Sequence, residues 1–518
     1  MNTVNLSEQE IIRREKLLEL HLLGVDPYPA ALYPVSHYSA DILKRYTEEN
    51  KAEFSNVTIA GRVMSINDKG KVVFIKIQDS FGIIQLYVRR DDLCPGEDKS
   101  FFDKVIKHLL DLGDFIGVTG FVFVTRTGET SIHAHTLTLL AKSLKPLPVV
   151  KRDEQGNVFD EVTDPEFRYR QRYADLIVNP QVKDVFVRRT KMMNAIRGFL
   201  NEQGALEVDT PVLQSIPGGA AARPFITHHN ALDVPFYLRI ANELYLKRLI
   251  VGGFDWVYEF SRNFRNEGMD RTHNPEFTVL EFYVAYKDYL WMMETTEQLL
   301  ERAAVATNGT TLTEVDGKTI DFKAPYRRVT MYDAIKEYTG FDISEMEEDQ
   351  LREVCKKLGI HADLTMGKGK LIDEIFSEKC ESHFIQPTFI IDYPVEMSPL
   401  TKKHRSKPGL VERFELMANG KEIANAYSEL NDPLDQRERF EAQLQLMERG
   451  DDEAMFIDHD FLRALEYGMP PTAGIGFGLD RICMLLTGQS SIQDVLLFPQ
   501  MRPEKTPEQT LEHPKSDL

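Results

Sequence analysis

The sequence has little cysteine and no hydrophobic run long enough to cross a membrane. Its four cysteines, Cys94, Cys355, Cys380 and Cys483, lie far apart, and no two of them form a CxxC pair. This spacing argues against a zinc site and against a disulfide framework, and it fits a protein of the reducing cytoplasm. The first twenty residues are charged and helical in pattern and lack an apolar core segment, so we expect no signal peptide there.

The sequence also has fewer basic than acidic residues. The chain has 62 basic and 81 acidic residues, which gives a formal net charge of −19. Such a balance argues against indiscriminate binding of nucleic acid. It still permits a specific RNA partner, because local basic patches determine that contact, and it predicts that the contact weakens as salt is added. At 518 residues the chain is long enough for two or more domains.

The first part of the chain changes from a helical to a strand pattern. Residues 1–52 predict a helical extension, and residues 53–148 predict short strands broken by Gly and Asp turns. Five strands with a helix before the fourth are the outline of an OB-fold, which binds single-stranded nucleic acid by stacking bases on aromatic rings. Phe74 on the second strand is the candidate ring for stacking on a base. The alternative is that Phe74 is simply an aromatic residue of the barrel core. Gln85 can read a base edge, and Glu129 can accept from a base N–H.

Residues 142–165 are rich in Pro, Lys and Asp, and we predict a linker at 149–165 that leads to a second domain, 166–518. That domain is organised around a predicted hairpin at 256–283. Aromatic residues alternate with polar ones in its first strand, and the return strand places Glu281 and Tyr283 on one face. On composition alone, this stretch could also be a solvated hairpin with surface charges.

A second hairpin is predicted around Asn419-Gly420, the strongest two-residue hairpin signal. That turn puts Glu415 opposite Ala424 and makes Glu415 and Glu422 diagonal neighbours on one face. Two such carboxylates repel unless a cation bridges them, and carboxylates with nucleotide phosphates and water are what Mg²⁺ prefers. The alternative is a pair of exposed strand acids.

The glycine-rich run GIGFGLDR, at 474–481, predicts a turn that opens a helix and puts Arg481 on the first helical turn. The GxGxG spacing alone could suggest a Rossmann fold, but no acidic ribose-binding residue follows at the expected distance. Residues 285–385 are expected to alternate helices with short loops, and we find no catalytic signal in them.

These motifs together resemble those of a known family. FRNE followed by THNPEF resembles motif 2 of class II aminoacyl-tRNA synthetases, and the adjoining TVLEFY resembles the lysyl-tRNA synthetase branch. GFGLDR resembles motif 3, and the helix and strand leading to Pro211 resemble motif 1, which forms the dimer interface in that family. The resemblance runs from about Phe54 to Pro499. It implies an α+β catalytic domain with an antiparallel sheet and a helical insertion at about 285–385, preceded by an all-β N-terminal OB-fold domain.

The resemblance also implies roles for individual residues. ATP would be bound by Arg265, Glu267, His273, Phe277, Glu415, Glu422, Gly476 and Arg481. Lysine would be bound by Gly219, Glu243, Arg265, Glu281, Tyr283, Asn425, Tyr427 and Glu429. The anticodon would contact Phe74, Gln85 and Glu129. Arg265 and Arg481 would be the catalytic pair, and Glu415 and Glu422 would hold Mg²⁺.

One implication conflicts with a regular strand. Asn425, Tyr427 and Glu429 have the opposite parity from Glu422, so a regular strand would send them to the other face. The resemblance places all four in one pocket. We therefore predict a bulge or bend between Ile423 and Asn425.

A pocket for lysine needs an acid at its inner end, since a buried ammonium without a counter-charge would be driven neutral or excluded. We choose Glu429 for the ε-ammonium, with Tyr283 beside it and Glu281 in support. Glu243 would bind the α-ammonium, although it could simply be an acid that stabilises the N-terminus of a helix. The family usually has proline where this chain has Asn242, a change that could loosen the turn without moving the acid.

We therefore expect a lysine–tRNA ligase of the cytoplasm. It would be a homodimer with no membrane contact, would use ATP as a substrate, and would have tRNA(Lys) as its acceptor. Three alternatives stay open: a sister aspartyl- or asparaginyl-tRNA synthetase, a paralogue that lysylates a protein, and a non-catalytic RNA-binding relative. The paralogues that lysylate a protein lack the OB domain, which argues against that alternative. A non-catalytic relative is expected to have lost the arginines that this chain keeps at 265 and 481.

Overall fold

The computed structural model describes residues 6–148, 151–152, 158–159, 163–220, 222–363, 366–448 and 457–503. The chain divides into two compact units, Met1–Val162 and Thr163–Leu518. None of the described helices is both long enough and apolar enough to span a membrane.

The first unit begins with two helices, α1 (Glu8–Leu22) and α2 (Ser39–Arg45). A capping box starts α1: the Ser7 hydroxyl accepts from the backbone N–H of Glu10, and the Glu10 carboxylate accepts from the backbone N–H of Ser7. Arg13 is buried and donates to the backbone carbonyls of Leu112 and Ser143, each at 2.9 Å. These bonds fasten α1 to the rest of its unit.

A closed barrel forms the body of the first unit. Within the described residues its strands are β1 (Val57–Asp68), β2 (Val72–Gln78), β3 (Ile83–Arg89), β4 (Phe115–Val124) and β5 (Thr130–Ala141), joined in the order β1-β2-β3-β5-β4. Helix α3 (Arg90–Leu93) and a π-helical segment (Phe101–Leu109) lie between β3 and β4, and a 3₁₀ turn (Lys51–Phe54) precedes β1. The predicted OB-fold, with a helix before its fourth strand, is confirmed.

The predicted linker, 149–165, lies largely outside the described residues. Two short strands in its described part, β6 (Lys151–Arg152) and β7 (Val158–Phe159), pair with each other.

The second unit mixes helices and strands. Its helices are α4 (Pro165–Arg170), α5 (Arg172–Val178), α6 (Pro180–Glu202), α7 (Glu243–Val251), α8 (Tyr289–Asn308), α9 (Met331–Thr339), α10 (Glu348–Leu358), α11 (Lys368–Lys379), α12 (Pro433–Glu448), α13 (His459–Glu466), α14 (Leu479–Thr487) and α15 (Ile492–Val495). Its strands are β8 (Leu206–Glu207), β9 (Leu213–Gln214), β10 (Ile226–His229), β11 (Val234–Leu238), β12 (Trp256–Phe264), β13 (Glu276–Ala285), β14 (Leu312–Val315), β15 (Lys318–Asp321), β16 (Arg327–Thr330), β17 (Thr388–Pro394), β18 (Leu410–Ala418), β19 (Lys421–Ser428) and β20 (Thr472–Gly478). Short 3₁₀ turns occupy Glu381–His383 and Val395–Met397.

One central sheet carries this unit. In the described part of the chain its strand order is β16-β17-β18-β19-β20-β13-β12-β8. Neighbours are antiparallel except at the two edges, where β16 pairs with β17 and β8 with β12 in parallel. Apolar residues of α6, α8 and α14 form one buried core with Phe282 and Phe477 of the sheet. The expected α+β catalytic domain with an antiparallel-rich sheet is confirmed.

The hairpin predicted at 256–283 is present as β12 and β13, which pair Tyr258 with Phe282 and Glu259 with Glu281. Its polar face is buried: Glu259, Ser261 and Asn263 are each no more than 3% exposed. The solvated-hairpin alternative is therefore wrong, because this polar face lies under the rest of the unit.

Three other expectations need correction. The glycine-rich run is not a turn but the central strand β20, which ends where α14 begins. The strand expected to reach Pro211 is reduced to the two-residue strands β8 and β9, which lie on either side of that proline. The segment 285–385 contains β14, β15 and β16 as well as helices, and β16 extends the central sheet.

Candidate active site

A cavity of about 1210 Å³ lies over the central sheet of the second unit. The predicted residues that line it are Gly219, Glu243, Arg265, Glu267, His273, Phe277, Glu281, Tyr283, Glu415, Glu422, Asn425, Tyr427, Gly476 and Arg481. Among the predicted residues of this unit, Glu429 is the exception: it is buried beneath the cavity lining. Residues separated by up to 262 positions in the sequence therefore meet at one site. Several of them lie on β13, β18, β19 and β20, which are neighbours in the central sheet, and the others lie on loops and helices beside it.

Arg265 follows directly after β12, and its backbone N–H donates to the carbonyl of Pro275 at 2.9 Å. Its guanidinium lies 5.2 Å from the centroid of the Phe277 ring. Within the described residues, its Nε is buried and has no hydrogen-bond partner. A buried guanidinium nitrogen without an acceptor is costly, so this arrangement suits an anionic ligand.

Arg481 is held by groups from two other elements. It donates to the backbone carbonyl of Glu422 at 2.7 Å, and its Nη2 lies 3.2 Å from Nε2 of His273. The other ring nitrogen of His273 lies 2.8 Å from the carboxylate of Asp270. Burial acts against the Asp270 charge, but hydrogen bonds from His273 and Thr272 outweigh it and lower the pKa of Asp270 well below its usual range. Sequence reasoning missed Asp270, although it stands three residues before His273 in the same loop.

Glu267 occupies the exposed part of this loop at the mouth of the cavity, and its backbone N–H donates to the carbonyl of Arg265 at 2.9 Å. Phe277, on β13, is half-buried with its ring at the cavity wall. Two cations and two rings thus face one space. The cations, Arg265 and Arg481, suit the phosphates of a nucleotide, and the rings of Phe277 and His273 suit its base.

The predicted bulge is present in the hairpin of β18 and β19. Met417 pairs with Glu422 and Leu416 with Ala424, so Ile423 is the extra residue. Glu415 consequently faces Asn425, not Ala424 as the regular register predicted. The extra residue reverses the parity of the strand and brings Glu422, Asn425 and Tyr427 to the same cavity.

Glu415 and Glu422 are suited to a divalent cation. Burial, followed by the neighbouring charge of Glu422, raises the pKa of Glu415 to about 7. The Arg413 guanidinium donates to Glu415 at 2.7 Å and to the side-chain oxygen of Asn425 at 3.1 Å. No group of three or more metal-binding side chains occurs among the described residues. A two-carboxylate site completed by phosphates and water is a usual arrangement for Mg²⁺, so the donor set fits that ion.

Glu243 opens α7 and turns its carboxylate to the cavity. The Tyr427 hydroxyl donates to it at 2.6 Å. Gly219 has a φ of +88°, and an added Cβ there would lie 3.3 Å from the Cβ of Glu243, so a glycine suits this approach. Asn242, where the family usually has proline, donates to Glu259 at 2.9 Å immediately before the helix, while its side-chain oxygen is buried and has no partner among the described residues.

Two further carboxylates belong to the inner end of the cavity: Glu281 lines it, and Glu429 lies beneath the lining. Glu281 accepts from the Tyr283 hydroxyl at 3.2 Å, and burial followed by the charge of Glu243 raises the pKa of Glu281 to about 8. Glu429 forms an ion pair with Lys247, and burial raises the pKa of Glu429 well above its usual range although Lys247 opposes that rise. An added Cβ at Gly474 would collide with Glu429 and Tyr283, so only glycine leaves room at this point.

Sequence reasoning missed several residues of this cavity. Lys247 was not predicted, although it stands four positions after Glu243 on the same helix, the spacing of an i,i+4 pair. Arg413 was also missed. The segment 285–385 contributes to the cavity wall where no functional signal was found, with Glu348, Lys368, Gly369, Lys370 and Asp373.

The predicted nucleic-acid residues of the barrel lie close to one another in the first unit. Lys76 pairs with Gln85 across β2 and β3, and it forms an ion pair of 2.9 Å with Glu129. Phe74 is half-buried, and its ring meets that of Tyr87 edge to face at 5.5 Å. Gln85 is only 8% exposed and donates one of its two amide hydrogens to the Ser131 hydroxyl at 2.9 Å, which leaves the second amide hydrogen and the amide oxygen for a base edge.

The aromatic surface of the barrel is larger than the sequence indicated. Beyond Phe74, the rings in mutual contact are those of Tyr87, Phe121, Phe123, His133 and His135. They come from β3, β4 and β5. The spacing of two residues between Phe121 and Phe123 and between His133 and His135 could have indicated this aromatic face from the sequence.

The two units define a class of protein, and comparison with known proteins agrees. Residues 164–502 match the family model described as tRNA synthetases class II (D, K and N), and residues 57–140 match that of the OB-fold nucleic acid binding domain. The chain belongs to the class II tRNA synthetases of the D, K and N group.

Within that class the similar proteins are named lysine–tRNA ligase. One from Porphyromonas gingivalis is 67% identical over 98% of this chain and 87% of its own length. One from Christiangramia forsetii is 65% identical over 96% and 87% of the two chains, and one from Azobacteroides pseudotrichonymphae is 63% identical over 96% and 99%. The chain is accordingly a member of the lysine–tRNA ligase family.

Proposed function

We propose that the second unit activates lysine with ATP, giving lysyl-adenylate and pyrophosphate, and then passes the lysyl group to the terminal ribose of tRNA(Lys). The observation that carries the proposal is the set of three carboxylates, Glu243, Glu281 and Glu429, that converge with two tyrosines at the inner end of one cavity. A substrate with two ammonium groups satisfies such a pocket.

The first step would be an in-line displacement at the α-phosphorus. An oxygen of the lysine carboxylate forms the new bond, and the bond to the oxygen of the departing pyrophosphate breaks. A carboxylate is already ionised at neutral pH, so the step needs no general base. Catalysis would then consist of positioning and of stabilising charge.

The arginines would supply that stabilisation. Arg265, whose Nε has no partner among the described residues, would hold the α-phosphate and the substrate carboxylate with its planar fork. Arg481, oriented by His273, would face the departing pyrophosphate, and Phe277 would stack on the adenine. Glu415 and Glu422 would hold Mg²⁺, which when bound adds positive charge beside the phosphates.

The sister aspartyl and asparaginyl activities are not favoured by this pocket. A substrate carboxylate in the side-chain position needs a cation, whereas the inner end of this cavity offers Glu281 and Glu429. Two nearby cations already have partners: Lys247 pairs with Glu243 and Glu429, and Arg239 pairs with Glu259.

The activity is tested by ATP–pyrophosphate exchange with pure protein and Mg²⁺. Lysine, aspartate and asparagine are supplied separately, and a reaction without amino acid is the control. We expect exchange with lysine alone. Exchange with aspartate or asparagine would contradict the pocket assignment, and folded protein with no exchange would contradict the proposed activity.

For the barrel we propose binding of the tRNA anticodon, in which Phe74 stacks on a base and Gln85 and Glu129 contact base edges. Phe74→Ala is expected to raise the KM for tRNA about 10-fold in aminoacylation, because one base–aromatic stack contributes roughly 1–3 kcal/mol. Lysine-dependent exchange should not change, since it needs only the second unit.

Phe81→Ala is the matched control, because Phe81 is an exposed ring at the end of the same β-hairpin. An equal rise in the KM for tRNA with both variants would mean that no single platform exists at Phe74.

From the resemblance around Pro211 we also propose that the protein is a homodimer of the cytoplasm.

A further inference from the structure

Lys247 is a fully buried lysine placed between two acids of the substrate pocket. Its Nζ lies 2.5 Å from Oε1 of Glu243, one helical turn earlier on α7. The same Nζ forms an ion pair with Oε2 of Glu429, which follows β19. The rings of Tyr427 and Phe461 lie 5.5 and 5.8 Å from Nζ and close the remaining sides. A lysine of the protein is thus enclosed in a pocket proposed to bind lysine.

The pocket has more buried carboxylates than a lysine substrate has ammonium groups. Three buried carboxylates, those of Glu243, Glu281 and Glu429, converge at the inner end of the cavity. A fourth buried acid nearby, Glu259, is already paired with Arg239 at 2.7 Å. A lysine substrate brings two ammonium groups, which leaves one carboxylate in excess. Buried carboxylates in excess protonate, and a protonated acid no longer offers a charge to an ammonium.

We propose that Lys247 is a positioning residue that serves as the third ammonium group of the pocket, holding the carboxylates of Glu243 and Glu429 in place and balancing the charge that the two ammonium groups of the substrate leave over. This inference rests on the proposed function. With lysine bound, three carboxylates meet three ammonium groups, and the substrate carboxylate meets Arg265.

The charged and titratable groups around Lys247 agree with this assignment. Glu243 faces it from its own helix, and Tyr427 and Glu429 face it from β19 and the residue after it. Burial opposes the charge on Lys247, but Glu243 and Glu429 outweigh burial and raise the pKa of Lys247. In turn, Lys247 opposes the burial that raises the pKa of Glu429.

The other neighbours do not compete for Lys247. Tyr283 and Glu281 of β13 face Glu243 and Glu429. The Tyr283 hydroxyl donates to Glu281 and not to either of those two acids. From α13, Phe461 contributes only its ring, while Asp458 and Asp460 pair with Arg248, the next residue along α7.

The test uses Lys247→Met in the full-length protein and follows lysine-dependent ATP–pyrophosphate exchange from about pH 6.5 to 8.5. Without the cation, the pKa of Glu429 rises further and the acid becomes protonated near neutral pH. We expect the KM for lysine to rise about 10²-fold near pH 7 and to fall again as pH increases, because a higher pH ionises the acid. The KM for ATP should stay within about twofold, since Lys247 does not face the nucleotide side of the cavity.

Arg248→Met is the matched control, because Arg248 is the next residue and also forms ion pairs, but with Asp458 and Asp460. It should leave the KM for lysine and its pH dependence unchanged. The double variant Lys247→Met with Glu429→Gln should be only slightly worse than Glu429→Gln alone and should lose the added pH dependence, because Lys247 acts through that acid.

The outcomes separate this inference from the proposed function. If the wild type lacks lysine-dependent exchange, the proposed function fails. If the wild type is active and Lys247→Met keeps the wild-type KM for lysine at every pH, the charge-balancing role is overturned. If Lys247→Met does not fold while Lys247→Arg or the double variant does, a balancing charge is needed and the inference stands. If none of these variants folds, the lysine is a packing residue and the inference is overturned.

Discussion

Glu429→Gln is expected to lower kcat/KM for lysine in ATP–pyrophosphate exchange by about 10³-fold. Removing one partner of a buried charge pair costs roughly 3–5 kcal/mol, since the other charge is left without compensation. Here the amide replaces the carboxylate that faces Lys247 and that we assign to the ε-ammonium of the substrate. The KM for ATP should change little, because Glu429 lies beneath the inner end of the cavity and is not one of the residues that we assign to ATP.

Glu297→Gln is a suitable control for this experiment. Glu297 is also a buried carboxylate of the second unit, but it accepts from the backbone N–H of Tyr326 in the helical core. Its replacement should leave exchange near the wild-type level. Unchanged exchange in Glu429→Gln would contradict the assignment and would move the ε-ammonium to Glu281 or Glu243.

Arg265→Lys is expected to lower kcat for lysine-dependent exchange by about 10²- to 10³-fold. The planar guanidinium can hold two oxygens at once, whereas an ammonium on a flexible stem is a point charge. Loss of one preorganised donor to a developing charge typically reduces kcat by about this factor. Among the described residues the buried Nε of Arg265 has no hydrogen-bond partner, so it is available to an oxygen of the substrate.

The control for Arg265 lies three residues earlier. Arg262 is an exposed arginine of β12 that faces Glu276 at 3.6 Å. Arg262→Lys should behave as wild type. A similar loss in both variants would mean that the hairpin is sensitive to any arginine replacement, and near-normal kcat in Arg265→Lys would contradict the two-oxygen contact.

The local patterns predicted much of this fold. Alternation between apolar and polar residues gave β12 and β13, and Asn419-Gly420 gave the hairpin of β18 and β19. Both signals work because side chains alternate between faces of a strand and because few residues accept the backbone of a tight turn. The bulge at Ile423 was predicted from a conflict between parity and function, and it was found one residue from the expected position.

The same reasoning failed where a glycine pattern was taken at face value. Gly474 and Gly476 suggested a turn that opens a helix, but both lie in the central strand β20. At Gly474 a glycine is needed because Glu429 and Tyr283 occupy the space that a Cβ would take. Nothing local to GIGFG shows that Glu429 and Tyr283 lie within contact of Gly474. The polar face of β12 was likewise open to two interpretations until its burial was known.

The sequence by itself determined most of the elements that form and all of the chemical groups that are available, because propensities, turns and strand parity act over a few residues. It also carried the motifs by which the family is recognised. Only the tertiary structure decided how the charges of the pocket are distributed. Whether Lys247 is an exposed i,i+4 partner of Glu243 or a buried cation shared with Glu429 depends on strands that pack on α7 from far along the chain. The energy of a charge is set by burial and by neighbours in space, and neither can be read from adjacent residues.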